Sequence, residues 1–119
     1  MSSRTQRLFV GAISLASSQA LACSGPGVAE VMSRAVWLGR GALAVSVVLT
    51  FAILVRAVCS RVPLIWVAGI VATLMCCLHP GVWLSAYDGD CGSRRVQGGV
   101  VMVMLHAALC FFSLASVRR

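Results

Sequence analysis

The stretch Gly41–Val55 (GALAVSVVLTFAILV) carries no charged residue and is bracketed by Arg40 and Arg56. No other feature restricts the fold as much. In hydrocarbon a backbone N–H or C=O has no water to bond, so a spanning segment must satisfy its polar groups internally as a helix or within a closed barrel. Three further apolar blocks follow the same pattern, each ended by arginine, glycine or proline. Crossing about 30 Å of hydrocarbon takes about 20 apolar residues in a helix. The blocks predict an all-α polytopic membrane bundle of three or four spans, at about 8–22, 35–56, 63–79 and 98–117.

Composition agrees. Of 119 residues 60% are hydrophobic and 11% charged, with a mean hydropathy of +0.95. Soluble domains carry about 25% charged residues, so this chain has too little polar surface to cover a soluble globule. The net charge is +7, and every basic residue is arginine. The arginines stand singly or in pairs at block ends. There they orient helices and meet lipid headgroups; they form no basic stripe of the kind that binds nucleic acid.

The first block allows two readings. Arg4 and Arg7, an apolar stretch and Ala20-Leu21-Ala22 before Cys23 resemble a secretory signal peptide. Alternatively Ala12, Ala16 and Ala20 give an uncleaved first helix a small face for close packing. The organisation expected is therefore residues 1–22 as signal peptide or first span, and 23–119 as the bundle with an outer-face loop at 80–97. Lipid attachment at Cys23 is a third option. Residues 28–40 are expected as a helical lead-in at the membrane surface, with Glu30 and Arg34 paired and Trp37 at headgroup level. Pro63 suits the first turn of a helix, and that helix should stop before Pro80.

Arginine bias sets the orientation. Arg4, Arg7, Arg56, Arg61, Arg118 and Arg119 fall on the cytoplasmic side under either reading of the first block, with the C-terminus inside. Arg34, Arg40, Arg94 and Arg95 fall outside or near the outer interface, and the acids Glu30, Asp88 and Asp90 fall outside. The residue types suggest a bacterial inner membrane.

Chemistry concentrates in HPGVWLSAYDGDCG, residues 79–92. Asp88 and Asp90 sit in a turn-rich outer loop that lacks the further oxygen ligands and closing glutamate of a calcium loop. Cys91 is expected to pair with Cys76, Cys77 or Cys23, pinning the loop. Cys76, Cys77 and His79 together suggest a soft-metal site, because thiolates and imidazole suit zinc or copper(I). His106 is the titratable group deepest in a span, which makes it a functional candidate; the competing expectation is a neutral ring bonded to Thr73 or Ser46. Ser46 and Thr50 are expected to bond back to their own helix. The sequence carries no hydrolase, zincin, P-loop or dinucleotide pattern and implies no cofactor. It points to a non-enzymatic accessory or interaction component, with the lipid bilayer and a membrane protein as partners and no nucleic acid. The alternative is a small transporter or soft-metal-handling protein using Cys76, Cys77 and His79.

Overall fold

The computed structural model describes residues 25–84 and 91–116. Within them the chain forms α1 (Val28–Cys59), α2 (Pro63–Cys77), the single turn α3 (Pro80–Trp83) and α4 (Ser93–Ala115). No strand occurs among the described residues. Residues 1–22, and with them the choice between signal peptide and first span and the lipidation of Cys23, lie outside the described residues.

Among the described residues, three segments are long and apolar enough to cross a membrane: Val28–Cys59, Pro63–Trp83 and Ser93–Ala115. The described residues form a membrane-embedded bundle of these three apolar segments. Exposed large apolar side chains, from Trp37 and Phe51 on α1 to Phe111 on α4, cover its outside. In water such a surface would aggregate; in a bilayer it is the solvated face.

Two element boundaries differ from expectation. Residues 28–40 do not form a separate surface helix but continue into the span, making α1 one helix of 32 residues. At 1.5 Å per residue it is about 48 Å long, more than the hydrocarbon needs, so it tilts or projects beyond the bilayer. Gly27 supplies its left-handed N-cap at φ 104°, and Glu30 in the first turn pairs with Arg34. The last helix starts at Ser93 rather than Gly98. Cys91 and Gly92 both have positive φ (52° and 76°), and this corner aims α4 back into the membrane five residues earlier than hydropathy suggests.

The helices meet along small residues. Buried positions on α1 are Ala35, Gly39, Ser46, Thr50, Ile53 and Ala57. On α2 they are Ile65, Ala68, Gly69 and Ala72, and in the α4 span Gly99, His106 and Ser113, seven apart. This three- and four-residue recurrence gives each helix a single inward seam. Lipid tails are as apolar as leucine, so helices in a bilayer associate by close packing and interhelical hydrogen bonds, which small and hydroxyl residues permit. α1 packs most extensively on α4 and then on α2. An apolar cluster of Ile53, Ala68 and Ala72, flanked by Leu109 and Cys110, closes the end of the bundle near Arg56.

Candidate functional site

Pro80 shapes the site. The residue before proline is kept out of the helical region, so His79 is extended (φ −65°, ψ 124°) and α2 stops at Cys77. His79 becomes the N-cap of α3, and the Gly81 N–H donates to its Nδ1 at 3.0 Å. That fixes the neutral tautomer: Nδ1 accepts, Nε2 carries the hydrogen, and Nε2 donates to Ser46 Oγ at 3.2 Å on α1. His79 is fully buried. It stands at the end of the expected 63–79 span, and both of its nitrogens are occupied.

One turn deeper on α2, Cys76 meets the other two spans. Its Sγ lies 3.2 Å from Thr50 Oγ1 of α1 and 3.4 Å from His106 Nε2 of α4. Thr50 donates its own hydrogen to Ser46 O at 2.8 Å. Toward Cys76 it can therefore only accept. His106 is fully buried. Its Nδ1 is 2.7 Å from Met102 O, one turn back on its own helix, and its Nε2 is 3.1 Å from Ala72 O. Neither hydroxyl expected to hold His106 does so: Thr73 bonds Gly69 O and Ser46 bonds His79. Of the two hydroxyls in the α1 core, Thr50 bonds back to its helix as expected, whereas Ser46 reaches across.

The cysteines separate. Cys91 is disulfide-bonded, while Cys76 and Cys77 are free thiols, so neither of those two is its partner. Cys23, the remaining expected partner, lies outside the described residues, as do Asp88 and Asp90. Cys59 and Cys77 are exposed and Cys110 is half-buried. Cys76, Cys77 and His79 do not converge: among the described residues no three His, Cys, Asp or Glu side chains gather to hold an ion. The structure instead brings together Thr50, Cys76 and His106, one from each span.

At the end of the bundle nearest α3, Arg95 lies across Gly39, where an added Cβ would come within 2.6 Å of its Nε. Its Nη1 donates to Leu84 O at 3.2 Å. The Trp83 indole N–H donates to Cys77 O at 2.7 Å, and Arg40 stacks on Trp37. Sequence reasoning missed the pairing of Ser46 with His79 and of Cys76 with His106. A signal was present: Gly99, His106 and Ser113 are spaced by seven, which places His106 on a packing seam.

No family model matches the chain, and neither characterised proteins nor solved structures give a significant match.

Proposed function

We propose that this chain is a non-enzymatic accessory component of a membrane, built to pack beside another membrane protein and presenting the loop 80–97 on the outer face. One observation carries the reading. The inward polar side chains Ser46, Thr50, His79, His106 and Ser113 are all engaged with one another or with backbone, while the outward faces of all three spans are broadly apolar. Such a bundle supports contact through its surface better than turnover in its interior. The arginine bias supports an inner membrane with the Arg56–Arg61 link and the C-terminus in the cytoplasm.

Photocrosslinking in the cell's own membranes tests this. A photoreactive residue at Trp83, exposed within the outer-face segment, should give one discrete protein adduct identifiable by mass spectrometry. The same residue at Phe111, on the lipid face of α4, should give lipid adducts. Lipid adducts alone at both positions would remove the accessory reading.

A second reading, soft-metal handling, is favoured by the contact of Cys76 with His106. It no longer rests on Cys77 or His79.

A further inference from the structure

We propose that Thr50, Cys76 and His106 form a site for a single soft monovalent metal ion of the copper(I) or silver(I) class, held between the three spans. This rests on the second reading above and gives it a donor set; the accessory reading stands separately.

The hydrogen positions carry the case. Both ring nitrogens of His106 lie near a carbonyl oxygen, and we place the single ring hydrogen on Nδ1, whose contact with Met102 O (2.7 Å) is shorter than that of Nε2 with Ala72 O (3.1 Å). A metal-ligating histidine is commonly oriented this way, one nitrogen donating to a backbone carbonyl and the other left for the ion. Its Nε2 lone pair then faces Cys76 Sγ at 3.4 Å, with Ala72 O, another acceptor, 3.1 Å away. Thr50 Oγ1 has spent its hydrogen on Ser46 O and turns lone pairs toward the same sulfur at 3.2 Å. Nitrogen, oxygen and sulfur thus converge with only the thiol hydrogen between them. His79 is the contrast: its Nδ1 accepts from Gly81 and its Nε2 donates to Ser46, so it has no lone pair to offer.

Charge and donor number select the ion. The Cys76 S–H bond breaks, a sulfur–metal bond forms, and the proton leaves to water; no oxidation state changes. A thiolate with a monovalent ion is neutral, which suits a site among apolar spans, whereas a divalent ion would leave a net positive charge at depth. The one acid among the described residues, Glu30, is paired with Arg34 far along α1. Fewer than three strong donors gather here, which disfavours zinc's four-coordinate preference and suits soft ions that accept two ligands. Metal–sulfur and metal–nitrogen bonds of about 2.3 and 2.0 Å would bridge the pair at a bend, and near-linear coordination needs about 1 Å of opening.

The test uses the full chain in lipid nanodiscs with Cys59→Ala, Cys77→Ala and Cys110→Ala, so that the other free thiols do not bind metal. Its histidines are labelled with nitrogen-15, and silver(I) serves as a redox-stable probe. One silver should bind per chain with release of one proton. The His106 Nε2 resonance should move and the His79 resonances should not. Cys76→Ala should abolish tight binding, and His106→Gln should weaken it by about 10- to 100-fold. The proposal is overturned if no silver binds, if His106 is unmoved by bound silver, or if His106→Gln binds as the parent does. The resonance readout needs no histidine substitution, so it decides the matter even where His106→Gln misfolds. Failure here leaves the Trp83 crosslink untouched, and failure of the crosslink leaves silver binding untouched.

Discussion

Ser46 Oγ and His79 Nε2 lie 3.2 Å apart and tie the middle of α1 to the break between α2 and α3. The bond follows from Pro80, which makes His79 an N-cap and turns its ring inward. Measured couplings between polar side chains in a membrane bundle average about 0.6 kcal/mol and reach about 1.7. A double-mutant cycle of Ser46→Ala and His79→Ala, followed by reversible unfolding in mixed micelles, should return a coupling in that range. His79→Ala should cost more than Ser46→Ala. It also strips the buried Gly81 N–H of its acceptor, and an unsatisfied donor costs about 1–3 kcal/mol. A coupling indistinguishable from zero would mean that the contact does not hold the joint.

Gly39 and Gly81 should respond differently to alanine. At Gly39 an added Cβ meets Arg95, a flexible side chain that can swing away toward headgroups. At Gly81 it meets the Gly39 carbonyl, which is backbone, and the His79 ring at 2.9 Å. Gly81→Ala should therefore destabilise by about 1–3 kcal/mol, the range for forcing atoms into a packed site. Gly39→Ala should cost less, and adding Arg95→Ala should recover most of the loss. Equal costs at the two glycines, measured by the same unfolding assay, would contradict this packing.

The spans were legible because hydrocarbon leaves a chain few options. Arg40 to Arg56, Pro63 and the apolar run after Gly98 reveal helices without knowledge of tertiary contacts. The start of α4 was not legible: Ser93, Arg94 and Arg95 are polar, and only the left-handed corner at Cys91 and Gly92 makes them helical. The continuity of α1 was hidden for a similar reason, since Arg34 and Arg40 look like the end of a surface segment. The site was the least legible part. Hydropathy says which residues lie in the membrane but not how three helices rotate about their axes. Those rotations decide that Cys76 meets His106 while its neighbour Cys77 faces outward.

Thiol labelling tests the arrangement of the whole bundle. Maleimides react with thiolates, and thiolates need water or a positive neighbour to form. Cys59 is exposed within the Arg56–Arg61 link, so it should label fast. Cys77 is also exposed, but toward the surface that lipid covers in the bilayer, and should label slowly until detergent admits water. Cys76, held by Thr50 and His106, should be slower still. Cys91 should label only after reduction. In sealed vesicles a membrane-impermeant maleimide should reach Cys59 when the cytoplasmic face is outward and fail when it is inward. Labelling of Cys59 from the opposite side would invert the orientation inferred from arginine bias. Fast labelling of Cys77 in intact bilayers would mean that the α2 surface faces water, and a water-facing α2 would call for a polar partner or pore where lipid is now placed.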